Sequence, residues 1–111
     1  MDKEFVQSYF KRGVATLCIL ALLHQHPMYG YELVVEMGRI SDGEFALPEG
    51  TLYPILYRLE DNGYLLAEKK LVGKRMTRVY YSLSESGDQY YQELLADYLS
   101  IRSGVAKILG L

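Results

Sequence analysis

The stretch that decides the fold is PEGTLYPILYRLEDNG, residues 48–63. Its apolar residues follow the i, i+3, i+4, i+7 spacing of one helix face: Leu52, Ile55, Leu56 and Leu59. Pro48 falls in the first turn, where a missing N–H costs little, and Asn62-Gly63 suits the left-handed position after a helix. The stretch therefore predicts a short amphipathic helix, with Pro54 tolerated if it lies near the first turn.

Two further helical stretches precede this one. The first runs from about Glu4 to Gln25, and its apolar face is predicted to consist of Val14, Leu17, Cys18, Ala21 and Leu22. Ile19, Leu20 and Leu23 widen this face, which suggests a helix covered on most sides. Lys11-Arg12-Gly13 interrupts an earlier apolar patch, so a break at that point is an open alternative. Pro27 ends this element, because a residue before proline is pushed away from helical angles. The second stretch runs from Tyr29-Gly30-Tyr31 to about Arg39.

Two strand-like runs follow the third helix. Residues 77–83 alternate between apolar and polar, which is typical of a half-buried strand. A run that starts at Tyr64 precedes it, and the loop between the two, around residues 72–76, contains Gly73. The pattern predicts a β-hairpin.

Composition limits the class of protein. The chain has 111 residues, half of them apolar, and a net charge of −2, which fits one domain with one modest core. No apolar run approaches the ~20 residues of a membrane span. The single cysteine, Cys18, excludes an internal disulfide and fits a reducing cytoplasm. Two histidines and one cysteine cannot build a structural zinc site, and no serine has a plausible base and acid partner. We therefore expect no metal, no cofactor, no membrane association and no enzymatic activity.

Three helices followed by a hairpin with a basic tip are typical of a winged helix-turn-helix, whose third helix enters the DNA major groove. The hairpin carries five basic residues and no acid between its first and last cation: Lys69, Lys70, Lys74, Arg75 and Arg78. On an otherwise acidic chain these residues form a local positively charged surface that can bind phosphates. We predict a mainly α fold with a small β-hairpin. A winged helix-turn-helix domain with an N-terminal helix would span residues 1–83, and a C-terminal dimerisation helix residues 84–111.

The outward side of the third helix supplies the predicted DNA contacts. At about 100° per residue, the positions that lie opposite the apolar face or flank it are Gly50, Thr51, Tyr53, Pro54, Tyr57, Arg58 and Asp61. Asp61 lies too near the C-terminal end of the helix to expect a phosphate close to it. Arg58 can pair with a guanine edge or a phosphate, Thr51 can bond either, and a tyrosine hydroxyl suits a phosphate. For Tyr53 and Tyr57 the alternative is partial packing against the next strand.

The last helix, N-capped by Ser84, is predicted to form a dimer. Its apolar residues are spaced 3, 4, 3, 4, 3 as an a/d seam: Tyr91, Leu94, Tyr98, Ile101, Val105 and Ile108. A winged helix of this size cannot cover that seam by itself, so we expect a homodimer. The apolar patch Phe5, Val6, Tyr9 and Phe10 is expected to pack onto this helix of the same or the partner chain.

Several motifs resemble those of the PadR-like transcriptional regulators. They are Leu20-Ala21-Leu22-Leu23, His26-Pro27-Met28-Tyr29-Gly30-Tyr31-Glu32-Leu33, Gly50-Thr51-Leu52-Tyr53-Pro54 and the ending from Arg78 to Gly87. The resemblance covers about residues 13–109 and implies a dimeric winged-helix repressor that binds a palindromic operator in double-stranded DNA. It places Tyr31 directly after the family glycine and Thr51 and Tyr53 at the opening of the recognition helix, and we predict that Tyr29 and Tyr31 also contact DNA. It places Lys74, Arg75 and Arg78 in the wing.

The resemblance also implies an effector, a small aromatic or cationic compound. Tyr98 lies where the drug-binding branch of the family has a stacking aromatic, and Tyr9 and Phe10 would lie close if the N-terminal helix crosses the last helix. The alternative for Tyr98 is packing against its symmetry mate. For the whole chain the alternative is a winged-helix module that binds protein without specific DNA binding, which salt-sensitive DNA binding would exclude.

Overall fold

A computed structural model describes the backbone of residues 3–111 and the side chains of residues 10–111. The elements are α1 (Lys3–Gln25), β1 (Met28–Tyr29), α2 (Gly30–Ile40), α3 (Glu49–Asp61), β2 (Leu65–Val72), β3 (Met76–Leu83) and α4 (Glu85–Leu109). The strands form one antiparallel sheet in the order β1-β3-β2. This arrangement is a winged helix-turn-helix followed by a long helix, and it confirms the predicted fold class. Within residues 3–111 no helix is long and apolar enough to cross a membrane.

The core lies between the first three helices and the inner face of the sheet. Its largest fully buried side chains come from α1, β1, α2 and α3: Ile19, Leu20, Met28, Leu33, Leu52 and Leu56. The inward face of α3 is the predicted one, since Leu52, Leu56 and Leu59 are buried and Ile55 packs against the same cluster. The periodicity of residues 48–63 therefore identified the buried side of this helix correctly.

The most deeply buried side of α1 lies among the residues that widen the predicted apolar face. The buried residues are Ala15, Ile19, Leu20, Leu22 and Leu23. Of the five residues that define the face by their helical spacing only Leu22 is buried, and the others, including Cys18 and Ala21, are half-buried. Apolar residues surround this helix, so periodicity alone could not choose the side that faces the core. The helix also continues without a break through residues 11–13.

The half-buried side of α1 borders an apolar groove of about 220 Å³. Cys18 and Ala21 line it from α1, Met37 and Ile40 from α2, and Phe45 from the loop that follows. Burial raises the pKa of the Cys18 thiol above its ordinary value, so the thiol stays protonated at neutral pH. The groove is a second apolar surface besides the C-terminal helix.

The hairpin forms where it was predicted, and a further strand is added to its sheet. β2 and β3 pair from Leu65 opposite Leu83 to Val72 opposite Met76, and the tight loop between them starts at Gly73, which has a positive φ of 72°. β1 was not predicted, because two residues are too short to show an alternation. It adds Tyr29 to the sheet, directly opposite Tyr80 of β3.

The start of α4 is tightly joined to the turn between α3 and β2. The Ser84 hydroxyl accepts the Gly87 N–H at 3.0 Å and donates to the Gly63 carbonyl at 2.6 Å. The rings of Tyr64 and Tyr90 stack with their centroids 4.3 Å apart. Gly87 is buried, and a Cβ at this position would overlap the carbonyl oxygen of Tyr64. We call these five residues the root of α4.

Candidate nucleic-acid interface

The outward side of α3 is open to solvent. Gly50, Thr51, Pro54, Tyr57 and Arg58 are all exposed, opposite the three buried leucines. Pro54 lies in the second turn of the helix rather than the first, and its ring nitrogen cannot donate to the Gly50 carbonyl. Both residues lie on the exposed side, where water or a ligand can satisfy that carbonyl. The exposed side of this helix therefore carries neutral residues and Arg58 along most of its length, with the acidic residues Glu49 and Asp61 at its two ends.

Tyr53 is half-buried and packs inward. Its ring lies against Gly30 at the start of α2, so closely that a Cβ on Gly30 would overlap the Tyr53 hydroxyl and ring. Burial, followed by the neighbouring Glu49 and Tyr57, raises the pKa of the Tyr53 phenol, which stays neutral. The Tyr53 ring therefore packs against its own protein, as one of the two alternatives predicted. Its partner, however, is α2 and not the next strand. The contact also explains why the Gly-Tyr-Glu and Gly-Thr-Leu-Tyr-Pro motifs occur together.

The wing presents its cations to solvent. Lys69, Lys70, Lys74 and Arg75 are exposed. Within the side chains of residues 10–111 the ion pairs are Arg39 with Glu36 and His24 with Asp88, so no wing cation is neutralised by a carboxylate. α3 packs against β2, which is the first strand of the basic hairpin, so the hairpin adjoins this helix.

Arg78 differs from the other wing cations. It is half-buried, and its guanidinium carbon lies 4.3 Å from the centre of the Tyr29 ring. Tyr29 meets Tyr80 edge to face with centroids 5.5 Å apart, and the Lys70 ammonium lies 5.0 Å from the centre of the Tyr80 ring. We call Tyr29, Lys70, Arg78 and Tyr80 the outer cluster. Tyr80 was not among the predicted site residues. The alternation of residues 77–83 nevertheless puts it on the same face of the strand as Arg78.

The predicted dimer seam divides into two parts. Tyr91 and Leu94 pack against the core of their own chain, and the Tyr91 ring lies 5.0 Å from the His24 ring of α1. Because the first turns of α4 pack against α1, Tyr91 and Leu94 are covered by their own chain and not left open for a partner chain. The exposed part of the seam consists of Tyr98, Ile101, Val105 and Ile108, and Ile108 is 86% exposed.

Of the predicted effector residues, Tyr98 and Phe10 do not line the groove beside α1. The side chains of Phe5, Val6 and Tyr9 lie outside the described residues, and Phe10 is 68% exposed. The Arg102 guanidinium lies 5.7 Å from the centre of the Tyr98 ring. In the described residues no three His, Cys, Asp or Glu side chains could hold a metal ion together.

These features define a winged-helix protein with a basic wing and a third helix that is exposed on its outward side. Residues 19–93 match the family model described as Transcriptional regulator PadR-like family. The chain belongs to this family and is a transcriptional regulator, not an enzyme.

Three relatives illustrate the match. Transcriptional regulator Rv3488 of Mycobacterium tuberculosis is 37% identical over 71 residues, which are 64% of this chain and 64% of that protein. A PadR family transcriptional regulator from Eggerthella lenta has a crystal structure with a TM-score of 0.81 and 31% identity, covering 96% of this chain and 93% of its own. Bacillus subtilis PadR, crystallised in complex with operator DNA, has a TM-score of 0.69 and 24% identity over 74% of this chain and 47% of its own. At that identity the last comparison shows the fold alone.

Proposed function

We propose that this chain is a homodimeric repressor that binds a palindromic operator through α3 and the wing. The observation that carries the proposal is the division of α3, with leucines buried on one side and Thr51, Tyr57 and Arg58 exposed on the other. The basic hairpin beside it supplies cations for the phosphates on either side of the groove. The Bacillus subtilis relative with the same fold was crystallised on operator DNA, which supports this mode of binding.

The homodimer in this proposal rests on exposed apolar surface. The last turns of α4 expose the free part of the seam, and the groove beside α1 is a further apolar surface. Contiguous apolar surface of this kind is typical of an interface. A two-fold axis through the α4 helices would place the two α3 helices about 34 Å apart, one turn of DNA, which is the geometry that a palindrome requires.

DNA binding is tested with fragments that the wild-type protein selects from genomic DNA, measured by fluorescence anisotropy over a range of salt concentrations. We expect Arg58→Ala to cost about 1–3 kcal/mol on the selected sequence and little on unrelated DNA, because Arg58 faces the base edges. Lys74→Ala and Arg75→Ala are expected to weaken binding to all sequences and to reduce the salt slope by about one for each phosphate contact.

Lys107→Ala is the matched control for these variants. It removes one positive charge from an exposed position in the last turn of α4, far along the chain from the wing. We expect wild-type affinity and salt slope from it. If the wild-type protein retains no fragment at low salt, or if Lys107→Ala lowers the salt slope as much as Lys74→Ala, the proposal is wrong and a protein-binding module becomes the better explanation.

Gly50 provides a test in which stability and DNA binding move in opposite directions. Its backbone is helical, and a Cβ would meet no atom within 4 Å. Glycine in a helix costs about 0.5–1 kcal/mol relative to alanine, so nothing in the fold requires it there. We expect Gly50→Ala to raise the free energy of unfolding by about 0.5 kcal/mol and to weaken DNA binding, because the added methyl group holds the DNA backbone away. Tighter or unchanged DNA binding by this variant would show that DNA does not approach Gly50.

The proposal includes two further elements. Like other regulators of transcription it would act in the cytoplasm. A small planar aromatic or cationic effector would bind near Tyr98 and change the affinity for DNA, because a ligand that prefers one state of the dimer shifts the population toward that state.

A further inference from the structure

The outer cluster forms a row across the sheet in which two neighbouring aromatic rings lie between two cations. Tyr29 and Tyr80 are directly opposite each other on β1 and β3, and Lys70 and Arg78 are directly opposite each other on β2 and β3. The contacts run diagonally between these pairs. As a result Lys70 lies at one end of the pair of rings and Arg78 at the other.

This arrangement distinguishes Arg78 and Lys70 from the remaining cations of the wing. The structure gives no aromatic ring beneath Lys69, Lys74 or Arg75 among the described side chains. A free arginine or lysine side chain loses rotamer freedom when it binds a phosphate. A side chain that already rests on a ring loses part of that freedom on folding, so less is lost on binding.

The rings also leave the cations able to bind an anion. The face of a tyrosine ring is electrically negative and attracts a cation, whereas the N–H groups at the edge of the guanidinium remain available as donors. Glu68, which lies opposite Tyr80 in the sheet, forms no ion pair with Lys70 or Arg78 in the described residues. Among the side chains of residues 10–111, therefore, no ion pair neutralises the two cations of the cluster.

We propose that Tyr29 and Tyr80 are positioning residues for DNA binding. They hold the Arg78 guanidinium and the Lys70 ammonium in place for the phosphates of duplex DNA, and the Tyr29 hydroxyl itself does not contact the DNA. The inference rests on the proposed DNA-binding function and assigns the outer face of the sheet to it. Tyr29 thus acts through Arg78, which differs from the direct contact that the sequence suggested.

The test is a double-mutant cycle on a fluorescein-labelled duplex that the wild-type protein selects from genomic DNA. We expect Tyr29→Leu and Tyr80→Leu each to weaken binding by about 3- to 10-fold at low salt. Tyr29→Phe keeps the ring and loses only the hydroxyl, so it should bind within about twofold of wild type. In an Arg78→Ala background, Tyr29→Leu should cause no further loss, because the cation that the ring holds is already absent.

The outcomes separate this inference from the function on which it rests. If Tyr29→Phe binds as weakly as Tyr29→Leu, or if Tyr29→Leu has its full effect without Arg78, then Tyr29 contacts DNA directly and the inference is wrong. An Arg78→Ala variant that binds like wild type also overturns the inference, while Arg58, Lys74 and Arg75 test the DNA-binding function independently. If a leucine variant does not fold, pentafluorophenylalanine in place of Tyr29 repeats the test, because it reverses the ring electrostatics at nearly constant size. Wild-type affinity for that protein would equally overturn the inference.

Discussion

Gly87→Ala is expected to lower the free energy of unfolding by about 2–3 kcal/mol. The added Cβ would overlap the carbonyl oxygen of Tyr64, which is backbone and cannot rotate away like a side chain. That carbonyl also accepts the Ser84 N–H at 3.0 Å, so moving it would weaken the junction further. Chemical denaturation followed by circular dichroism, at equal protein concentrations, measures the change.

Gly38→Ala is the matched control for this substitution. Gly38 lies in α2, and a Cβ there would meet nothing within 4 Å. The same change of residue should therefore raise stability by about 0.5–1 kcal/mol, because alanine restricts the unfolded chain and favours the helix. Equal changes in the two variants would mean that the close approach of Gly87 to Tyr64 is not what makes glycine necessary there.

Ile101→Glu is expected to separate the proposed dimer and to reduce affinity for the full operator by about 100-fold or more, since a single half-site loses the gain from two linked contacts. Ile101 is 65% exposed and lies outside the core cluster of its own chain, so the winged helix itself should fold normally. Sedimentation velocity at micromolar concentration measures the dissociation. Leu94 is a poor choice for this purpose, because it packs against the core of its own chain and its replacement would unfold the protein as well.

Ser103→Glu provides the control for Ile101→Glu. It introduces the same charge two residues further along α4, at about 200° around the helix, where the side chain is exposed. We expect a stable dimer with wild-type affinity. A wild-type protein that sediments as a monomer at this concentration, or an Ile101→Glu variant that remains dimeric, would contradict the proposed seam.

The sequence predicted the elements whose surroundings differ sharply between two sides. α3 is apolar on one side and polar on the other, so its spacing was sufficient to identify both the buried leucines and the exposed Arg58. The hairpin and the place of its loop followed from the alternation of residues 77–83 and from Gly73. In both elements one side faces the core and the other faces solvent, so apolar and polar residues recur with the period of the element and reveal its orientation.

Other features depend on contacts that one stretch of sequence does not show. α1 is apolar around most of its circumference, so only the positions of α2, α3 and α4 decide that Ile19 is buried while Cys18 is half-buried. Tyr53 looked like a DNA contact by its place on the helix, yet its ring fills the space left by Gly30. Arg78 was recognised as a cation of the wing, but the ring beneath it belongs to a strand of two residues. In each case the partner is far away in the chain.

The root of α4 has a consequence for the length of DNA that the protein can recognise. α4 has 25 residues and is therefore about 37 Å long. Because α4 is this long, a rotation of the helix by about 5° at Gly87 would displace its C-terminal end by about 3 Å, which is close to the rise of one base pair. In a dimer joined at the far ends of two such helices, the distance between half-sites would be determined by the angle at which each helix leaves its domain. The close packing of Gly87 against Tyr64 would then influence which operators fit as strongly as the residues that touch the bases.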